Sequence, residues 1–583
     1  MNETPLLAFI VATLAVAAVA RRKGWPVPLV IVAVGLAVSF IPGVPHFEVE
    51  PELLLGVALP PLLYSASTSS SYQDLRSSLH SITRLGVGLV LVSAFAVAGA
   101  VVLFFPDIPF AAALVLGAVV APPDAVSAAA VGKRLGLPRR VMTVLTGESL
   151  INDATSLTLY KVALAGVAGG AWTLSAGLKV FAVAVIVGVG VGLVIGFVAH
   201  RVRLALADPP IATLLGLVVP FASYWLAEEL SGSGVLAVVA AGLYLGHHSI
   251  EAGYATRLEE EPLWGTIDLA LETLTFALIG VQLKWLIGDV LESDQGLAHA
   301  LLVSAAVFAV VVLIRPVYVF ATSWMDRIRL PGSPRPENDT LTGSEATVVS
   351  WAGMRGVVTL AAAAAIPKVL GGESFPEHAS IQLAAYAVAI GTLLVQGTTL
   401  PWLIRRLRVG GEEDLRVDSA QEMRVRMLMA KAQADVVTNA VDQWSRTIGE
   451  DKAKSIAAGL KDRIMSTGAA AAQVFREDES LRELVPPTPT AEVILGGQGR
   501  PGLPGGTLGV PVRGGAAITK DAKKARARMV TQVRRDLINA QREVLTTERD
   551  AGHLNEDVTR RLLREIDLAE ESLATSWMVR TSS

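Results

Sequence analysis

Four polar residues stand close together inside an otherwise apolar stretch, and their types suit the binding of a small cation. The sequence "GESLINDATS" at 147–156 carries Glu148, Ser149, Asn152 and Asp153 between hydrophobic flanks. Helical residues four apart are neighbours on one face. Ser149 and Asp153 therefore share one face, and Glu148 and Asn152 share the next. A hydroxyl and a carboxylate on one face offer hard oxygen ligands to a small cation.

A second polar position interrupts another apolar run, "AAALVLGAVVAPPDAVSAAAV" at 111–131. Pro122 and Pro123 each lack a backbone donor and clash with the preceding turn, so they predict a broken helix just before Asp124. A break at membrane depth is tolerated only against protein or a wet cavity. Such breaks free carbonyls and helix ends that coordinate ions in transporters.

A third stretch, "SWAGMRGVVTL", predicts a second broken helix, because Gly353 and Gly356 flank Arg355. A carboxylate inside a membrane span is costly and usually functional, and a buried charge needs a partner. We therefore predict an ion pair between Glu148 and Arg355 that ties two helices together.

The elements that must position these residues are membrane spans. The chain has 583 residues, 52% of them hydrophobic and only 18% charged, with a mean hydropathy of +0.50. A spanning helix needs roughly 20 mostly apolar residues. Thirteen candidate spans follow one another up to residue 408: 5–20, 26–43, 51–67, 84–105, 108–132, 141–168, 176–200, 209–228, 233–247, 263–287, 297–321, 345–370 and 379–404.

These spans predict an all-α polytopic membrane protein with two inverted repeats. The two breaks fall in spans five and twelve, seven spans apart, which matches two inverted six-helix repeats with one span between them. Lys and Arg concentrate in alternate loops, which places the N-terminus outside and the C-terminus in the cytoplasm. The basic residues of those loops include Arg21, Arg22, Lys23, Lys133, Arg134, Arg139, Arg140, Arg405 and Arg406.

The polar remainder, 409–583, is predicted to be a cytoplasmic, mainly helical tail behind a transmembrane exchanger domain at 1–408. Its parts are a helical region at 411–482, a linker rich in Pro and Gly at 485–517, and a second helical region at 518–580. The tail has no recognisable catalytic or nucleotide-binding motif. The chain has no cysteine, so thiolate metal sites and disulfides are excluded.

Two further sets of polar residues leave alternatives open. Asp268 and Glu272 lie one turn apart in a span, where they would either line an ion funnel or bond neighbouring helices. Ser233, with His247 or His248 as a base, is a remote candidate for an intramembrane hydrolase. A cation channel is the other remote alternative, although a selectivity pore does not require paired broken helices.

Together the motifs resemble the sodium/proton exchanger branch of the monovalent cation/proton antiporter superfamily, over residues 5–408. "GESLINDAT" looks like that family's Asn-Asp signature, with "PPDAVSA", "GMRGVVTLA", "PPLLYSAS" and "FALIGVQL" matching other spans. The resemblance implies a sodium site at Asp124, Ser149 and Asp153. Two departures stand out. Ser65 occupies a position where some relatives have glutamate, and Pro123 replaces a threonine and leaves only its backbone carbonyl as a ligand.

The resemblance also implies a function, a secondary transporter rather than an enzyme. The expected reaction is exchange of a monovalent cation, sodium first and lithium second, for protons by alternating access. Relatives with a second aspartate in place of Asn152 tend to be electrogenic, so we predict electroneutral one-for-one exchange. Potassium/proton exchange on the same fold is the alternative.

The remaining expectations concern partners and location. We expect a homodimer in the plasma membrane that serves pH and sodium homeostasis, with membrane lipid around it. No cofactor beyond the transported ions is implied. The net charge of −3 gives no indication of nucleic-acid binding.

Overall fold

The computed structural model describes residues 3–41, 54–169, 174–206, 208–293, 295–328, 341–370, 372–477 and 520–582. The chain divides into two compact units. The first comprises residues 1–251 and 259–411, and the second comprises residues 252–258 and 412–583. Residues 252–258, which the sequence places in the transmembrane domain, thus group with the tail. The predicted linker at 485–517 lies outside the described residues.

The first unit consists of helices with one very short hairpin. Its helices begin with α1 (Glu3–Lys23), α2 (Val27–Ser39), α3 (Leu59–Thr68), α4 (Tyr72–Ser77), α5 (Leu79–Thr83), α6 (Val90–Phe104), α7 (Phe110–Val120), α8 (Ala125–Leu135) and α9 (Arg139–Val167). They continue with α10 (Leu174–Leu206), α11 (Pro209–Glu229), α12 (Gly234–His247), α13 (Tyr254–Glu292), α14 (Gly296–Ile328), α15 (Gly343–Trp351), α16 (Val357–Ala364) and α17 (His378–Leu407).

Short irregular elements connect these helices. Leu54–Ala58 and Arg84–Leu89 are π-helical, and Ser249–Glu251 is a 3₁₀ turn. The antiparallel strands β1 (Val369–Leu370) and β2 (Glu373–Ser374) form the hairpin.

Several helices have the length and composition of membrane spans. Six helices among the described residues are long and apolar enough to cross a membrane, and three shorter apolar helices, α2, α7 and α12, accompany them. The protein is therefore a multi-pass, all-helical membrane protein, while the number of thirteen spans stays a prediction.

Both predicted helix breaks are present. Residues 121–124 separate α7 from α8, and residues 352–356 separate α15 from α16. In the first break Pro122 and Pro123 supply no backbone donor to continue the helix. In the second, Gly353 and Gly356 have low helix propensity, which favours an interruption at this place.

Helix α9 holds the broken helices in place, and its sequence explains how. Ser156 donates a hydrogen bond to the Ala118 carbonyl of α7 at 2.8 Å, and Tyr160 donates one to the Ala365 carbonyl beyond α16 at 2.8 Å. All three of Ser156, Ala118 and Tyr160 are buried, so these bonds form away from water, where an unpaired polar group is costly. The continuous helix α9 is therefore hydrogen-bonded to both broken helices.

The second unit contains four tail helices: α18 (Glu412–Ile448), α19 (Glu450–Glu477), α20 (Lys520–Asp550) and α21 (Glu556–Ser582). Arg257, from the segment that opens α13, forms a bidentate ion pair with Asp567 of α21, with Nε 2.7 Å from Oδ2. Arg542 of α20 also binds Asp567, at 3.1 Å, and binds Glu570 at 2.6 Å. The Asp567 side chain is only 3% exposed, so it is a buried charge that depends on these arginines.

Candidate functional site

The two helix breaks meet each other in the interior of the first unit. The backbone N–H of Asp124, in the first break, donates to the carbonyl of Met354 in the second at 2.6 Å. Unwound backbone at membrane depth must find such partners, because no water is available in the bilayer core. The meeting of the breaks places Asp124 directly beside the second broken helix.

An arginine binds the C-terminal end of the first half of each broken helix. Arg355 donates to the carbonyls of Val120 at 3.0 Å and Ala121 at 3.3 Å, at the end of α7. Arg315 of α14 donates from Nε to the carbonyl of Val349 at 2.9 Å, near the end of α15. A cation at a helix C-terminus is stabilised by the free carbonyls and the helix dipole.

The predicted ion pair between Glu148 and Arg355 is wrong, because Glu148 pairs with Arg315 instead. Both guanidinium Nη atoms of Arg315 bind the two carboxylate oxygens of Glu148, one of them at 2.8 Å, and each side chain is 1% exposed. The guanidinium group of Arg355 instead donates hydrogen bonds to the backbone carbonyls of Val120, Ala121 and Gly353.

Arg315 lies inside the predicted span 297–321, but the sequence prediction gives it no partner. The helix continues to Ile328, so Arg315 lies deeper within it than at a membrane surface. A signal was present: an arginine followed by Pro316 within a long apolar run is unusual in a span.

Asp153 and Ser149 lie one turn apart on α9, as predicted. Asp153 is 4% exposed and within electrostatic range of Asp124, whereas Ser149 and Asp124 are half-buried. Within the described residues, the Asp153 carboxylate makes no hydrogen bond and no ion pair. A buried carboxylate without a protein partner must take up a proton or a cation.

Asn152 links α9 to the first break. Its amide Nδ2 donates to the carbonyl of Pro123 at 2.9 Å, and Asn152 is fully buried. The Pro123 carbonyl, the predicted backbone ligand, is therefore engaged by one lone pair and retains a second. The acceptor Oδ1 of Asn152 has no hydrogen-bond partner among the described residues.

Asp268 and Glu272 of α13 differ in their surroundings. Ser65 of α3 donates to Asp268 Oδ2 at 2.5 Å, so Asp268 bonds a neighbouring helix. Glu272 lies within electrostatic range of Asp124, Asp268 and Arg21. The serine that replaces the relatives' glutamate thus binds a carboxylate that another helix supplies.

The hydrolase alternative is wrong. Ser233 caps the start of α12 by accepting a hydrogen bond from Leu236 N–H at 3.4 Å, while His247 and His248 lie at the other end of the same helix. Fourteen residues at 1.5 Å each separate the ends by about 20 Å, so the hydroxyl and the imidazoles cannot act together.

Gly356 leaves room for the Asp124 side chain, because glycine has no Cβ. A Cβ built at residue 356 would lie 2.6 Å from Asp124 Cβ and closer still to its carboxylate. We expect Gly356→Ala to displace that carboxylate and raise the KM for the transported cation about tenfold or more, since ligands must sit within about 0.5 Å of their place.

Vesicle assays of cation-induced proton movement over a range of cation concentrations measure this effect. The control is Gly343→Ala at the start of α15, where an added Cβ meets nothing within 4 Å. Equal KM values for the Gly356 and Gly343 variants would show that Asp124 does not depend on this space.

Two broken helices that meet at their interruptions, with the carboxylates of Asp124 and the buried Asp153 nearby, are typical of a secondary transporter for a small ion. The transmembrane sodium/hydrogen exchanger family matches residues 7–406. The chain belongs to this family, and the protein is a transporter rather than an enzyme.

Relatives and a solved structure agree with this assignment. The chain is 33% identical over 454 residues to an uncharacterised Na⁺/H⁺ exchanger of Mycobacterium tuberculosis, covering 76% of this chain and 81% of that protein. It is 32% identical to the low-affinity Na⁺/H⁺ antiporter NhaS1 of Synechocystis, covering 68% and 72%. The sodium proton antiporter MjNhaP1 of Methanocaldococcus jannaschii has a similar fold, with a TM-score of 0.54 at 19% identity, covering 69% of this chain and 97% of that one.

Proposed function

We propose that the protein exchanges one sodium ion for one proton across the membrane, with Asp153 as the group that binds either. Asp124 and Ser149 complete the cation site, together with the free lone pair of the Pro123 carbonyl. The observation that carries this proposal is the position of Asp153, buried beside Asp124 at the meeting of two broken helices.

Exchange follows from competition for one carboxylate. Asp153 holds a proton or a cation but not both, and either ligand neutralises it. A neutral site can pass between inward and outward access, whereas an empty charged site resists the change because an unpaired buried charge is costly. Alternating access therefore carries one ion in each direction.

The balance of charge around the crossing supports a one-for-one ratio. Among the two arginines that bind the broken helices and the three acids Glu148, Asp124 and Asp153, one negative charge remains, leaving Glu272 outside this group. A single sodium ion or a single proton cancels it. Asn152 adds no titrating group, because its amide donates to the Pro123 carbonyl and carries no charge.

Electroneutral exchange predicts that the rate does not depend on voltage. We expect the initial rate of sodium/proton exchange in proteoliposomes to change less than about twofold when a membrane potential of about 100 mV is imposed, since that potential is worth about 2.3 kcal/mol per charge moved. A strong acceleration by voltage, with net charge moved in each cycle, would contradict the one-for-one ratio.

Asn152→Asp provides the matched variant for that experiment. A carboxyl group at 152 would face the Pro123 carbonyl and keep that hydrogen bond only while it holds a proton. This variant should gain a voltage-dependent rate that the unchanged protein lacks.

Potassium is the second candidate cation, and one relative favours it. The chain is 30% identical to the sodium, potassium, lithium and rubidium/H⁺ antiporter of Bacillus subtilis, covering 65% of this chain and 58% of that protein. Comparing sodium, lithium and potassium in the same vesicles distinguishes the two functions. Sodium and lithium should drive proton movement, and a larger response to potassium would favour the second.

The proposal also includes the arrangement of the spans, the oligomeric state and the orientation in the membrane. The thirteen spans form two inverted six-helix repeats, and two copies form a homodimer in the plasma membrane. The N-terminus lies outside and the tail lies in the cytoplasm. Glu272 lines a funnel toward Asp124, which is supported by the electrostatic range between them, whereas Asp268 of the expected funnel pair is bound by Ser65 of α3.

A further inference from the structure

One peptide unit in the second break is bound at both of its ends. The carbonyl of Met354 accepts the N–H of Asp124 at 2.6 Å, and the N–H of the same peptide, which belongs to Arg355, donates to the hydroxyl of Thr392 at 3.0 Å. Peptide groups are planar and rigid. The position of the Thr392 hydroxyl is therefore transmitted through one peptide plane to the backbone of Asp124.

Thr392 itself is firmly placed. It lies in the middle of α17, is fully buried, and donates its own hydrogen to the Ala389 carbonyl at 3.1 Å. The hydroxyl hydrogen is thereby committed, which leaves its lone pairs to accept the Arg355 N–H. Successive hydrogen bonds of this kind polarise and strengthen one another in a low-dielectric interior.

We propose that Thr392 is a positioning residue for the cation site, acting on Asp124 through the Met354–Arg355 peptide. It also fixes the start of the Arg355 side chain, which binds the end of α7. This inference rests on the proposed role of Asp124 as a cation ligand. Thr392 touches no transported ion and acts only through the break.

The test compares two substitutions of Thr392. Thr392→Val keeps the shape but removes the acceptor, so the buried Arg355 N–H is left unpaired. We expect the sodium KM to rise about tenfold, because the loss of one buried hydrogen bond changes an affinity by about that factor. The maximal rate should change less than about threefold. Thr392→Ser restores the hydroxyl and should return KM to within about twofold of the unchanged protein.

Thr398→Val, at an exposed position of the same helix, is the control, because among the described residues the Thr398 hydroxyl bonds only the carbonyls of Leu394 and Val395. Its KM should not change. Thermal unfolding in detergent separates loss of folding from loss of affinity for every variant. An unchanged KM in Thr392→Val, or a rise that Thr392→Ser does not reverse, would overturn the positioning role.

Failure of the proposed function looks different. If Asp124→Asn left the sodium KM unchanged, the cation site itself would be misplaced, whatever Thr392 does. If Asp124→Asn raised the KM and Thr392→Val did not, only the positioning role would fall.

Discussion

Replacing Asp153 with asparagine is expected to abolish exchange while leaving a folded protein. Asparagine matches the shape of aspartate but binds no proton and carries no charge, so neither ligand can compete for it. Asp153 has no hydrogen bond or ion pair to lose among the described residues. Removing a buried, unpartnered charge also removes a desolvation cost, so the thermal stability of the variant should stay equal or rise.

Cation-induced proton movement in everted vesicles measures the result, with at least a hundredfold loss expected at any pH. Asp107→Asn is the control, since Asp107 is an exposed aspartate in the loop between α6 and α7. Sodium-dependent exchange that persists in Asp153→Asn at more than a few per cent would place the exchanged ions elsewhere.

Breaking the ion pair between Glu148 and Arg315 is expected to cost a large share of the stability of the first unit. Arg315→Met leaves the buried Glu148 carboxylate without the arginine that it binds and removes a donor from the Val349 carbonyl. Removing one partner of a buried pair costs about 3–5 kcal/mol, against a total stability of about 5–15 kcal/mol for a typical protein. We therefore expect a clearly lower yield of folded protein and a lower unfolding temperature.

Folded yield and thermal unfolding in detergent are the measurements, and two charge swaps give the sharper comparison. Glu148→Arg with Arg315→Glu should recover part of the yield, whereas Glu148→Arg with Arg355→Glu should recover none. Lys368→Met is the control, because its ion pair with Asp289 is exposed and worth about 0–1 kcal/mol. Equal recovery by both swaps would contradict the pairing.

The helix breaks could be predicted because their causes are local. Pro122 and Pro123 each remove a backbone donor and disfavour a continuous helix at that position, and the glycines around Arg355 weaken one at theirs. Ser149 and Asp153 could likewise be placed on one helix face from their four-residue spacing alone. These features are therefore readable from short stretches of sequence.

Side-chain partners from distant parts of the chain could not be read in this way. Glu148 and Arg315 are 167 residues apart, and Ser65 and Asp268 are 203 residues apart. Arg355 is the expected partner of Glu148 because of its depth in a predicted late span, and nothing in the sequence near Arg315 indicates that the fold brings it to Glu148 instead. The orientation of the Asn152 amide toward Pro123 depends on packing that only the folded chain provides.

The ion pair between Arg257 and Asp567 determines where this chain can be cut. A truncation after Gly411 would remove Asp567 and Arg542 and leave Arg257 without the carboxylate that it binds. Such a truncation would also remove the rest of the compact unit to which residues 252–258 belong. Any change in its transport would mix two causes. Asp567→Asn in the full chain weakens the same contact and keeps every helix, so it is the cleaner way to ask what the tail does.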